Sequence, residues 1–112
     1  MSHRAVFFLA AVLVAASAQL APAQDRRQIT EGRALARDNC ARCHAIGKTG
    51  RSHVRTAPAF RDLNKRYNVD DLEEAFVEGI AVRHGEIEMP EFTFSPERTA
   101  ALLAYIKSLK KR

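Results

Sequence analysis

The chain of 112 residues has no tryptophan and only two cysteines, with two methionines, four prolines and five glycines. Two cysteines cannot build the multi-bridge framework of a small disulfide-rich domain. They also cannot supply a four-cysteine zinc site. Only one long apolar run exists, the 12 residues AVFFLAAVLVAA from Ala5 to Ala16. Spanning a bilayer takes roughly 20 such residues, and Ser17, Gln19 and Pro22 end this run too soon. Basic and aromatic residues are not interleaved, which argues against nucleic-acid binding.

What stands around the apolar run gives it a meaning. His3 and Arg4 precede it, and small residues spaced A-x-A follow at Ala21–Ala23, with a second such triplet at Ala16–Ala18. This is the pattern of a secretory signal peptide. Residues 1–23 are expected to be removed, leaving a domain of residues 24–112 in the periplasm; an uncleaved anchor is the alternative. A domain this small has a marginal core and usually needs a disulfide, metal or cofactor to hold it.

The net charge is +5, unevenly spread. Residues 24–66 carry 11 Lys and Arg against 4 Asp and Glu; residues 67–98 carry 2 against 9; residues 99–112 carry 4 against none. Such polarity suits docking to a charged partner, although a solvated mixed surface would look the same.

Helical patterns cover the rest, and no convincing strand is visible, so the fold class is all-α. Ile29, Gly32, Leu35 and Ala36 recur at helical spacing between Arg27 and Asn39. Gly32 costs about 1 kcal/mol relative to alanine within a helix, which suggests close approach by another element, with a tolerated surface glycine as the ordinary alternative. Residues 46–56 read as a polar loop. A helix over Ala57–Tyr67 is expected to open with Pro58 in its first turn. The next, DDLEEAFVEG, has Asp70 as cap, Glu73 in the capping-box position and Gly79 as its end. In the last, Ser95 caps, Pro96 takes the first helical position, and Leu102, Tyr105, Ile106 and Leu109 form the apolar stripe. Lys107, Lys110, Lys111 and Arg112 sit where the helix dipole favours cations.

The chemistry lies in CARCH, residues 40–44. A dithiol redox switch should follow a strand in an α/β pattern, and here Cys40 closes a helix. Zinc would need a fourth ligand, and the adjacent Cys43 and His44 point poorly at one metal. Covalent haem attachment uses every residue: Cys40 and Cys43 form thioethers with the two vinyl groups, and His44 lies under the iron. C-x-x-C-H is a c-type haem signature. It also leaves an exported chain with no thiols to pair.

The sixth iron ligand then decides between electron transfer and ligand chemistry. Met89 is the first candidate. It lies in an irregular segment among charged residues, where a core methionine would be out of place, and Pro90 restricts its backbone to extended forms. His84 is the rival; His53, in the polar loop, is expected to face solvent. Should the sixth position stay open, His84 with Glu86 or Glu88 is the best available acid–base pair for a gas-binding or peroxidase-like protein.

CARCH, APAF, EMPEF and LLAYIKSL, in this order over residues 27–110, resemble a small class I c-type cytochrome of the bacterial periplasmic monohaem type. The resemblance implies a cytochrome c-like fold, three to four helices wrapped round one haem c, with the N- and C-terminal helices crossing at Gly32 and Tyr105. Ala36 stands where an aromatic is common, so this crossing should be less well filled. The carbonyl of Pro58 would accept from the ring N–H of His44, and Met89 would be the axial methionine. Phe60, Leu63, Phe76, Ile87, Phe92 and Leu103 would cover the haem. With no tryptophan, propionate bonding would fall to Arg, Lys or Tyr67.

The expected function is a periplasmic, monomeric single-electron carrier rather than an enzyme. Its partners would be a dehydrogenase or reductase donor and an oxidase or other acceptor, with acidic docking surfaces steered by Arg37, Arg42, Lys48, Arg51 and Arg55. Peripheral membrane association, or service as a bound subunit, is compatible with the same chemistry.

Overall fold

The computed structural model describes residues 20–110. Most of the expected signal peptide, and Lys111 and Arg112, lie outside the described residues. Among the described residues, four α-helices appear in order: α1 (Leu20–Asn39), α2 (Phe60–Arg66), α3 (Leu72–Glu78) and α4 (Pro96–Ser108). A 3₁₀ turn, Val69–Asp71, leads into α3, and a hairpin of β1 (Arg83–His84) and β2 (Ile87–Glu88) lies between α3 and α4.

The N- and C-terminal helices cross at Gly32. A Cβ at this position would lie 1.9 Å from the carbonyl oxygen of Ala101 and 2.8 Å from Cβ of Tyr105. Only a residue without a side chain lets α1 and α4 meet this closely. Ala36, one turn on, is wholly buried, so its small side chain leaves no solvent access at the crossing. Leu35 from α1, Leu102, Tyr105 and Ile106 from α4, and Leu109 at its C-terminal cap complete the central core.

The start of α4 follows its local signals. Ser95 Oγ accepts from the backbone N–H of Arg98 at 3.3 Å, with Pro96 in the first turn. Gly79 ends α3. Three local expectations are corrected. Helix α2 begins at Phe60, because Ala59 is extended (φ −64°, ψ 140°) and Pro58 lies outside the helix. Asp70 does not cap α3 and no side-chain cap is made there; Asn68 instead caps the preceding 3₁₀ turn by accepting from Asp70 N–H. Asp70 pairs at the surface with Lys107 of α4. Third, a hairpin exists where no strand was expected. It turns at Gly85, whose φ of +66° disfavours other residues.

The segment after α3 folds back by Ile80 N–H to Phe92 O, 3.1 Å, and Phe94 N–H to Phe76 O, 2.9 Å. Phe92 and Phe94 stack with ring centroids 5.9 Å apart. This anchors both ends of the hairpin to the body of the protein. No helix among the described residues is long and apolar enough to cross a membrane.

Candidate haem site

Helix α1 ends in a turn that carries the attachment residues. Cys40 N–H bonds back to Ala36 O at 2.8 Å, and His44 N–H to Cys40 O at 3.0 Å. This winding brings Cys40, Cys43 and His44 to the wall of one cleft. The cleft encloses about 910 Å³, open solvent at its mouth included. The two cysteines are half-buried and form no disulfide with each other. Burial, and secondly the neighbouring Cys43, push the Cys40 thiol up to about 11, so it remains neutral near pH 7.

His44 is buried, 8% exposed. Its Nδ1 lies 2.7 Å from the carbonyl oxygen of Pro58. A carbonyl only accepts, so Nδ1 carries the proton and Nε2 keeps its lone pair. A metal could be held by that nitrogen, with the Pro58 bond fixing the ring and raising its basicity. Phe60 flanks the ring at 5.3 Å between centroids.

The loop of residues 46–56 is tied down from several sides. Ala45 N–H donates to Ser52 Oγ at 3.0 Å, Val54 N–H to Cys43 O at 3.1 Å, and the Arg61 guanidinium to Gly50 O at 2.7 Å. Farther along, Thr56 Oγ1 donates to His84 O at 2.7 Å and so fastens the hairpin. His53 is exposed.

On the hairpin side, Met89 and His84 both line the cleft. Met89 N–H donates to Val82 O at 2.8 Å. The His84 ring stands edge-on to His44, centroids 5.0 Å apart and planes at 85°. Its Nε2 is buried without a hydrogen-bond partner. Burial, and then the nearness of His44, lower its pKa. Glu86 and Glu88 are exposed and make no bond to His84, so the expected acid–base pair is not assembled.

Of the six residues expected to cover the haem, Phe60, Leu63, Phe76 and Phe92 line the cleft. Two do not. Ile87 is 50% exposed on the hairpin, and Leu103 is buried in the core cluster that also holds Phe60 and Phe76, without itself lining the cleft. Leu72, Ile80 and Val82 also line it; they lie at the start of α3 and between α3 and the hairpin, whose course the sequence pattern does not reveal. Tyr67 is at the rim, 56% exposed, and Arg42 is the one guanidinium or ammonium among the described lining residues.

The donor set fits a haem. Two thiols and a proximal imidazole share a wall, apolar side chains form the floor, and an orphaned imidazole nitrogen and a thioether come from across the cleft. A family model described as cytochrome c matches residues 29–110. The chain belongs to the cytochrome c family. No curated protein and no solved structure matches it. The family binds haem c covalently, and Cys40, Cys43 and His44 stand at its C-x-x-C-H spacing. Its members carry out haem-based electron transfer with redox partners. The crossing of α1 and α4 and the small share of strand are those of the cytochrome c-like fold.

Proposed function

We propose that this chain is an exported carrier of single electrons, with haem c joined through Cys40 and Cys43 and held between His44 and Met89. The observation that carries the reading is the 2.7 Å contact of His44 Nδ1 with Pro58 O, which leaves Nε2 free to face a metal. The bound haem supplies a one-electron iron couple. The chain's own part is to fix the ligands and exclude water, so that little rearranges when the charge changes. Phe60, Phe76 and Phe92 supply the apolar surround, and Met89, a soft thioether, favours the reduced state.

Arg42 and Tyr67 are the rim groups available to carboxylates of the haem. Arg37, Arg42, Lys48, Arg51 and Arg55 are all exposed, and in this reading they steer acidic donors and acceptors toward the attachment side. Association should weaken with salt. Cleavage after Ala23 and residence in the periplasm belong to the same proposal, as does action as a monomer between a dehydrogenase or reductase and an oxidase.

The test is the visible spectrum of periplasmically matured protein, oxidised and reduced, with and without Met89→Leu. The oxidised wild type should show the weak long-wavelength methionine–iron band, and the variant should lose it. A wild type that lacks the band and binds carbon monoxide readily when reduced would overturn the carrier reading in favour of ligand binding.

A further inference from the structure

The hairpin has a parity that places two ligand-type side chains together. Arg83 pairs with Glu88 and His84 with Ile87. The bond from Met89 N–H to Val82 O, 2.8 Å, extends the same register by one step. Paired residues share a face, as do residues two apart on a strand. Val82, His84, Ile87 and Met89 therefore lie on one face, with Arg83 and Glu88 on the other. Ile87, near the tip, reaches solvent; Val82, His84 and Met89 line the cleft.

Both potential donors on this face come to the cleft that holds His44. The backbone of His84 is held by Thr56 Oγ1, while its Nε2 is buried without a partner. A buried ring nitrogen normally finds a donor or acceptor. Its neighbour across the cleft is the ring of His44, 5.0 Å away.

We propose that His84 is an alternative sixth ligand of the haem iron, taking the position when Met89 leaves it. This rests on the reading that an iron is held by His44 and, at rest, by Met89. In the exchange an iron–sulfur bond breaks and an iron–nitrogen bond forms through the Nε2 lone pair. The iron keeps its oxidation state, and no proton is released by a neutral ring. Ferric iron gives the exchange its direction, since a thioether is the softer ligand and imidazole the better match for the oxidised metal. Iron between two imidazoles needs them farther apart than the present edge-on contact. The exchange therefore requires the hairpin to shift outward against its tie to Thr56 Oγ1 and the bonds at its ends.

The experiment compares ferric wild type, Met89→Leu, His84→Gln and the double variant of the matured full chain, by electron paramagnetic resonance and visible spectra. Met89→Leu should remain low-spin with a two-imidazole signal, and the double variant should become high-spin. Added imidazole should restore the low-spin state of the double variant. His84→Gln alone should keep the methionine band. A Met89→Leu protein as high-spin as the double variant overturns the proposal. So does a wild type without the methionine band whose iron turns high-spin on His84→Gln alone, since His84 is then the resting ligand and the Met89 assignment fails with it. Loss of the methionine band in wild type with His84→Gln still low-spin sinks the Met89 reading and this one together. A second readout leaves Met89 intact: mild urea should raise a two-imidazole signal in ferric wild type and none in His84→Gln, and equal behaviour of the two overturns the proposal.

Discussion

The phenol of Tyr105 in α4 donates a hydrogen bond to the carbonyl of Ile46, 2.8 Å away and 59 residues earlier in the chain. It joins the terminal-helix crossing to the loop that leaves the attachment turn, so the crossing and the haem site are mechanically one unit. Tyr105→Phe keeps the ring in the core and loses this bond. Denaturant unfolding should show a loss of about 1 kcal/mol with the haem spectrum unchanged. Burial raises the Tyr105 pKa above that of an ordinary phenol, with the charge of Arg33 opposing. A raised folded pKa means the folded state binds the proton more tightly. Stability from this group is thus full below pH 10 and lost as pH climbs past it. Tyr105→Phe should unfold with a shallower alkaline limb than wild type.

Gly32→Ala forces a methyl group into the backbone of Ala101. Overpacking of this kind costs about 1–3 kcal/mol, and here the obstacle is backbone rather than a flexible side chain. Gly47→Ala is the matched control, since a Cβ there meets nothing within 4 Å. Thermal or denaturant melts should separate the two clearly. Equal stabilities would mean that α1 and α4 do not cross at Gly32.

Removal of the Ser95 cap should cost about 1 kcal/mol, read as a lowered denaturant midpoint for Ser95→Ala. Asp70→Ala should change stability by less than about 1 kcal/mol, because its partner Lys107 is a surface ion pair. The sequence pattern alone would rank both as helix caps.

Thr56→Val keeps the shape of the side chain and deletes its bond to His84 O. The hairpin then loses its tie to the attachment loop. Added imidazole or cyanide should displace the sixth ligand of ferric protein faster than in wild type, while reduced-state spectra stay similar. Unchanged displacement rates would show that the hairpin is held from its ends alone.

The parts legible in the sequence are those decided by neighbouring residues. Ser95-Pro96 starts α4, Gly79 ends α3, the 40–44 motif marks the attachment turn, and Gly32 signals a close helix contact. The parts that were not legible depend on distant partners. Pro58 has the credentials of a first-turn helix residue, yet its carbonyl is bonded to the His44 ring and α2 starts two residues later. Strands of two residues are too short for alternation to declare itself, so the hairpin went unseen, and with it the places of Ile87 and Val82. Leu103 has the same composition signal as a cleft residue. It lies buried in the core cluster beside Phe60 and Phe76 without lining the cleft.

Thr56 and Pro58 stand two residues apart, and each grips one of the two imidazole-bearing units, Thr56 through His84 O and Pro58 through His44 Nδ1. These two bonds add a direct link between the units, beside the α1 turn that carries His44 and the bonds at the ends of the hairpin. Motion that carries Thr56 and Pro58 together cancels in that link. Through it, the two units feel only the part by which Thr56 and Pro58 move relative to each other. One residue inserted between them would remove the cancellation and let loop fluctuation appear as spread in the ligand field.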